Sequence, residues 1–282
     1  MNKVVGIVIP SYNQGKYLER TIKSALENAK NAVVRIALID GGSTDNSLQI
    51  IERYRDLLDV CISEPDGGQA AAINKGIRAL QGCDYYMWLN SDDEYEDEYS
   101  IKKIVEFSES NGYEVCYGKS HFIDEASEII GEYPVEKYSH RKLGNRCYIS
   151  QPSVLFSAKA YESVGPLNEH LHMCLDYEYW IRLSKVYKFG FINHYIGSTR
   201  LYDDTKTANQ KRRHLSEAMF ILKKYYERIP MKWVVTEYRN EHAGAFLSRQ
   251  NYFIAALLLF FRKKKIISDC INRLGINATF VI

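Results

Sequence analysis

Tyr85-Tyr86-Met87-Trp88-Leu89-Asn90-Ser91-Asp92-Asp93 joins an apolar, aromatic run to a short polar and acidic turn. A run of that kind, ended so abruptly, predicts a buried strand. Its carboxylates then stand at the carboxyl end of a strand, the edge where open α/β sheets take their ligands. Two adjacent carboxylates there suit a hard divalent cation that also holds phosphate oxygens. Glu94, Glu96, Asp97 and Glu98 follow, so a solvated acidic loop is the alternative at this point.

Upstream the same pattern repeats. Residues 4–10 and 34–39 are short apolar runs, and 60–63 is a weaker one. Leu18, Ile22, Ala25 and Leu26 recur at helical spacing between the first two. Leu48, Ile51 and Tyr54 follow a cap supplied by Asp45 or Ser47, and Ala71, Ala72, Ile73, Ile77 and Leu80 follow Gly67-Gly68. The order β-α-β-α-β-α-β predicts a mainly parallel sheet wrapped by helices. Three strands end in Ser11-Tyr12-Asn13, Asp40-Gly41-Gly42-Ser43 and Asn90-Ser91-Asp92-Asp93. Each alone is ordinary turn chemistry. Three on one edge, joined by Glu64-Pro65-Asp66-Gly67-Gly68-Gln69, read as a ligand platform. Past residue 100 the periodicity predicts a helix through Ile101, Ile104 and Val105, strands over 115–118 and 151–156, and an edge strand over 129–133. A helix then carries Trp180 and Leu183, and an amphipathic helix covers 209–228.

With 282 residues, 46% of them hydrophobic, the chain can build one large α/β domain or a domain with an appendage. Its 37 basic and 35 acidic residues leave a net charge of +2, which gives no footprint for nucleic acid. None of the six cysteines forms a CxxC pair, which argues against a zinc or redox motif and for buried free thiols. A reducing, cytoplasmic location is the expectation, and no leader segment is visible ahead of the first strand. Residues 252–261 are wholly apolar or aromatic and precede Arg262-Lys263-Lys264-Lys265. A bilayer span needs about 20 apolar residues. This stretch therefore reads either as a helix lying on an anionic membrane face or as a buried terminal helix with a solvated basic end.

The segments Val8-Ile9-Pro10-Ser11-Tyr12-Asn13, Ile39-Asp40-Gly41-Gly42-Ser43-Thr44-Asp45, Glu64-Pro65-Asp66-Gly67-Gly68-Gln69 with Ala72-Ile73-Asn74-Lys75-Gly76, Leu89-Asn90-Ser91-Asp92-Asp93 and Asp176-Tyr177-Glu178-Tyr179-Trp180 occur in that order. No single one is specific. The ordered set resembles the inverting family-two glycosyltransferases of the GT-A fold. The resemblance implies an α/β fold with a mainly parallel sheet sandwiched by helices. Residues 1–208 would form the nucleotide-sugar and acceptor domain, and 209–282 a helical C-terminal appendage. It places Pro10, Tyr12, Asp40, Asp66, Asn90 and Ser91 on the nucleotide, with Tyr12 offering an aromatic face. A carboxylate at Asp40 can accept the imide N–H of uracil. Asp66 matches a further acidic position near the nucleoside, or alternatively caps the helix that begins near Gly68. Asn90-Ser91-Asp92 stands where the family carries Asp-x-Asp, with Asn for the first Asp. Asp92 then faces Mg²⁺ or Mn²⁺, with Asp93 beside it. Asp176 matches the catalytic base that takes a proton from the acceptor hydroxyl, and Glu178 supports it.

One departure stands out. Many relatives carry a His two residues after an Arg where this chain has Tyr202 after Arg200. Arg200 and Lys206 remain to neutralise phosphate. The implied donor is a UDP-sugar, or a dTDP-sugar, which shares the imide. The implied acceptor is a glycan or lipid-linked glycan in cell-surface polysaccharide assembly, with the protein peripheral at the inner membrane face through 252–265. A nucleotidyltransferase would need a glycine-rich basic loop after the first strand, and a dinucleotide oxidoreductase a GxGxxG; neither is present. The rival of another class is a non-catalytic scaffold that keeps the fold and binds a nucleotide or a membrane complex.

Overall fold

The computed structural model describes residues 3–203, 210–241, 263–269 and 272–274. It divides into two compact units, one of residues 1–140 with 147–203, the other of 141–146 with 204–282.

In the first unit the alternation read from sequence is present. β1 (Val4–Ser11), α1 (Leu18–Asn28), β2 (Val33–Asp40), α2 (Ser47–Tyr54), β3 (Val60–Ser63), α3 (Gln69–Ala79) and β4 (Tyr85–Trp88) follow one another. After them come β5 (Glu94–Tyr95), α4 (Ser100–Asn111), β6 (Val115–Ile123), β7 (Ile129–Glu132), then a short α5 (His140–Leu143) of which only His140 belongs to this unit, and β8 (Val154–Ser157), α6 (Ala158–Val164), α7 (Leu175–Val186) and β9 (Gly190–Arg200). The sheet order is β3-β2-β1-β4-β8-β6-β9-β5, with β7 hairpinned on β6. β3, β2, β1 and β4 are parallel, and β6 and β9 are parallel to each other. β8 lies antiparallel to both β4 and β6. The two reversals cancel, so β1 to β4, β6 and β9 all point their carboxyl ends to one edge.

Alternation along β1 assigns the two faces. Val5, Ile7 and Ile9 bury against Leu18, Ile22 and Ala25 of α1 and Ile101 and Ile104 of α4. Val8 faces the other way, against α3. A Cβ at Gly76 would stand 2.4 Å from Val8 Cγ1, so α3 can approach the sheet this closely only with glycine there. On that same strand layer Trp88 of β4 stacks on Trp180 of α7, with ring centroids 5.1 Å apart and planes 15° apart.

Three local readings change. Gln151–Ser153 is a 3₁₀ turn with Pro152 at its start, and the strand begins only at Val154. Ser47 opens α2 rather than capping it, while the Asp45 carboxylate accepts the Ser47 N–H at 3.0 Å. The acidic run after Asp93 is only partly a solvated loop, with Asp97 and Glu98 exposed. Glu94-Tyr95 pairs with β9, and Glu96 accepts from Ser198 Oγ at 2.8 Å and lies 2.9 Å from His121 Nδ1. Asp97 accepts the Tyr99 N–H at 2.8 Å ahead of α4.

The second unit holds α8 (Lys211–Tyr226), α9 (Met231–Glu241) and a helical segment over 263–269. Trp233 Nε1 donates to the Asn145 carbonyl at 2.8 Å, and buried Glu237 accepts from Arg273 at 2.6 Å. The apolar stretch 252–261 and Arg262 lie outside the described residues. No helix among the described residues is long and apolar enough to cross a membrane.

Candidate functional site

The loops after β1 and β2 brace each other at the carboxyl edge. Asn13 adopts a left-handed backbone (φ 51°), which lets its N–H reach Ser43 Oγ at 2.8 Å while its Oδ1 accepts the Thr44 N–H at 2.8 Å. The Gly15 N–H donates to Asp45 Oδ2 at 2.9 Å. Burial alone would raise the Asp45 pKa, but the bonds from Ser47 and Gly15 outweigh it and hold the carboxyl below its ordinary value. Between these anchors Pro10 is buried in β1 and Tyr12 is 62% exposed. Tyr12 therefore has a ring face open for stacking.

Asp40, the carboxylate expected on the base, lies inside its loop. Its side chain is 0% exposed. Oδ2 accepts the Ser43 N–H at 3.0 Å, the Gly42 N–H at 3.2 Å and Ser63 Oγ at 2.7 Å, while Oδ1 accepts Ser43 Oγ. These bonds, from the Gly42–Ser43 turn and from Ser63 at the end of β3, hold the Asp40 carboxylate inside the loop. Asp66 is the open group instead. Its Oδ1 accepts the Gly68 N–H at 2.7 Å, which is the helix-start contact anticipated for it. Oδ2 accepts no hydrogen bond among the described residues. A Cβ built on Gly41 would lie 3.2 Å from Asp66 Oδ1 and 3.3 Å from Oδ2, so the Asp66 carboxylate fills the space beside Gly41 on the open side of the loop.

The turn after β4 is knotted from within. Asn90 Nδ2 donates to Asp93 Oδ2 at 3.0 Å, Gln69 Nε2 donates to Asn90 Oδ1 at 2.7 Å, and Ser91 is buried. Asp93, 3% exposed, also accepts the Arg200 backbone N–H at 3.0 Å. Burial, then the charge of Asp92, pushes its pKa well up. Asp93 thus closes the loop and is more deeply buried than Asp92. Asp92 is half-buried, and burial raises its pKa too. Its Oδ2 accepts the Tyr202 hydroxyl at 2.9 Å. Tyr202 also accepts from Gln14 Nε2 at 3.4 Å, and burial, then the Asp92 charge, holds its hydroxyl protonated.

Arg200, expected to neutralise phosphate, is bonded within the chain. Its Nε donates to the Asp92 carbonyl at 2.8 Å, Nη1 to the Asp124 carbonyl, and Nη2 to Glu94 and, at 3.1 Å, to Ser127 Oγ. It is 2% exposed and lies over the Tyr17 ring at 4.9 Å. Four hydrogen bonds from this guanidinium tie the 90–94 turn to β9 and to the β6–β7 hairpin tip. Arg200→Ala would strand the Glu94 carboxylate in a protected site, a loss of about 3–5 kcal/mol for a broken buried pair. Thermal unfolding of Arg200→Ala should show a midpoint about 6–12 °C lower. An unchanged midpoint would contradict the clamp. Lys206, the other cation read as a phosphate partner, lies outside the described residues.

Asp176 occupies the first turn of α7 and is half-exposed. The Cys147 thiol stands close enough that, after burial, the Asp176 charge pushes its pKa up. Four residues on, Gln151 Nε2 donates to the Trp88 carbonyl at 2.6 Å. A short segment therefore links the surroundings of Asp176 to the strand that carries Asp92. Glu178, expected to support Asp176, also pairs with Arg182. It is 3% exposed and holds Arg182, whose Nη1 and Nη2 donate to the carbonyls of Val164 and Pro166 at 2.7 and 2.8 Å. Asn74 completes that bracing: its side chain accepts the Leu167 N–H at 2.9 Å and donates to the Leu167 carbonyl at 2.9 Å. Asn74, Gln151 and Gln14 were not singled out by sequence, because an amide gives no sign there of which loop it will bridge. Among the described residues no group of three His, Cys, Asp or Glu converges as a metal cage.

The Glycosyl transferase family 2 profile matches residues 6–164. The hyaluronan synthase of Pasteurella multocida is 30% identical over 219 residues, which make up 75% of this chain and 22% of that protein. An Escherichia coli chondroitin synthase is 32% identical over 193 residues, 67% of this chain and 28% of the other. The chain thus spans less than a third of either relative's length. Among solved structures, Staphylococcus aureus TarS 1–349 in complex with UDP-GlcNAc superposes with a TM-score of 0.61 at 14% identity, over 96% of this chain and 80% of that one. A mannosyltransferase of Pyrobaculum calidifontis, in complex with GDP-Man and Mn²⁺, gives 0.58 at 13% identity, over 79% and 64%. These neighbours share the GT-A-type architecture expected from the ordered motifs. On the profile match and the identity to two polysaccharide synthases, the chain belongs to glycosyl transferase family 2.

Proposed function

We propose that the protein moves a sugar from a UDP-sugar to a hydroxyl of a glycan or lipid-linked glycan, with inversion at the anomeric carbon and with help from Mg²⁺ or Mn²⁺. One observation carries this reading: exposed Tyr12, Asp66 with its Oδ2 unbonded among the described residues, and half-buried Asp92 stand on loops at one carboxyl edge. That is an order suited to base, base imide and diphosphate. The ligands named for TarS and the Pyrobaculum enzyme support a nucleotide-sugar donor and a divalent cation. The synthase relatives support a glycan acceptor in polysaccharide assembly. Residues 1–208 would carry donor and acceptor, leaving 209–282 as a helical region whose 252–265 stretch would meet an anionic membrane face.

Asp66 takes the role first read into Asp40. Its Oδ2 is the acceptor available for the N3–H of uracil, or of thymine in a dTDP-sugar. Cytosine has no such proton. Asp66→Ala should weaken UDP binding by about tenfold or more, the worth of a hydrogen bond to a charged group, and leave CDP binding unchanged. Equal losses for UDP and CDP in calorimetric titration would remove Asp66 from base recognition.

The residues present fit a donor-borne cation. Mg²⁺ is usually held through one or two carboxylates and substrate phosphates and keeps several waters. One half-open carboxylate at Asp92 supplies that share, and a protein cage is not required. When bound, the cation offsets the negative charge that gathers on the departing diphosphate. The chain's own residues do the rest. Tyr12 and Asp66 hold the nucleoside, and the Asn90–Asp93 turn keeps Asp92 aimed at the diphosphate. Asp176 accepts the proton of the acceptor hydroxyl as that oxygen forms its bond to the anomeric carbon. The bond from that carbon to the diphosphate oxygen breaks in the same displacement, so no covalent sugar–protein intermediate arises.

A further inference from the structure

We propose that Tyr202 is a latch on Asp92 that makes cation binding depend on the nucleotide. The inference rests on the reading of Asp92 as the residue that faces the cation. The Tyr202 hydroxyl lies between a donor and an acceptor. Gln14 Nε2 donates to it at 3.4 Å, so its single proton is committed to Asp92 Oδ2 at 2.9 Å. The ring is held in place by Tyr17, with centroids 4.9 Å apart and planes inclined by 44°. Arg200, over the other partner of this cluster, fixes the Asp92 carbonyl at 2.8 Å. Asp92 is therefore gripped at both backbone and side chain, and both grips adjoin the segment that contains Tyr12, Gln14 and Tyr17.

The consequence is chemical. A metal ion needs carboxylate lone pairs, and a hydroxyl that donates to Oδ2 competes for them. With one oxygen partly occupied and no second acidic ligand converging among the described residues, Asp92 alone makes a weak cation site. Diphosphate oxygens add the missing ligands. A nucleotide stacked on Tyr12 also bears on the loop that orients Tyr202 through Gln14. Free cation is thus disfavoured, and cation with nucleotide is favoured. By linkage, the factor by which UDP tightens Mn²⁺ equals the factor by which Mn²⁺ tightens UDP, and the latch enlarges both.

Tyr202→Phe removes the hydroxyl and keeps the ring that packs on Tyr17, so it spares the fold. Mn²⁺ is titrated, with electron paramagnetic resonance reading free ion, into wild type, Tyr202→Phe and Asp92→Asn, each with and without UDP. The expected result is that Tyr202→Phe binds Mn²⁺ alone about tenfold more tightly than wild type, the scale of a charge-assisted hydrogen bond, while the enhancement by UDP shrinks by a similar factor. Mn²⁺ affinity in Tyr202→Phe equal to or weaker than wild type without UDP, with Asp92→Asn impaired, would overturn the latch and leave the cation site standing. Undiminished Mn²⁺ binding by Asp92→Asn in the presence of UDP would overturn the cation reading of Asp92 and the latch with it.

Discussion

Asp176→Asn should reduce the turnover of sugar transfer by about 10³-fold, within the range that a positioned general base supplies, while UDP binding stays at the wild-type level. The substitution is nearly isosteric and removes only basicity. Asp176 sits on the first turn of α7 and is itself half-exposed, so an amide of the same size fits there. None of the groups proposed to hold the nucleotide lies on that helix. A loss confined to turnover, with UDP titration unchanged, is therefore the signature of a residue that meets the acceptor proton. Equal loss of UDP affinity would mean that Asp176 shapes the donor site. Full activity would return the base to another residue.

Asp92→Asn should lower kcat/KM for the donor by about 10²–10³-fold, the several kcal/mol that a cation supplies to leaving-group charge, and abolish the gain in UDP affinity that Mn²⁺ confers. The asparagine keeps an oxygen that can accept the Tyr202 hydroxyl, and the Asp92 carbonyl remains in the grip of Arg200. Loop geometry and melting temperature should therefore hold while the charge is lost. That separates this variant from Arg200→Ala, which is expected to lose stability first. Wild-type activity in Asp92→Asn with Mn²⁺ present would contradict a cation role for this residue.

The amino-terminal half of the fold was legible because its central strands β1 and β4 are buried on both faces. Apolar runs such as Val4–Pro10 and Tyr85–Leu89 need no partner to be recognised. The second half was harder. β9 mixes Asn193, His194 and Ser198 with Ile192 and Ile196, since parts of it are exposed, and its pairing with β6 is a long-range fact that no local pattern carries. β5 is two residues inside an acidic run and exists because Ser198 and Gly197 stand opposite it. In the site, the sequence showed which residue types gather at the edge but not which way each points. Asp40 and Asp66 look alike in sequence; the hydroxyls of Ser43 and Ser63 enclose one and leave the other open. Arg200 reads as a phosphate cation until three carbonyl and carboxylate acceptors are found around it. Tyr202, the visible departure from the family's pattern, bonds directly to the carboxylate that matters most.

The most direct measurement is proton NMR of a panel of α-linked UDP-sugars incubated with the protein and Mn²⁺, following both the release of UDP and the anomer of the freed or transferred sugar. The account expects UDP release from one donor, with the β-anomer appearing first, dependent on Mn²⁺ and lost in Asp176→Asn. First appearance of the α-anomer would contradict single displacement. Saturable UDP-sugar binding with no release from any donor, even with glycan acceptors supplied, would contradict transfer itself and leave a nucleotide-binding scaffold.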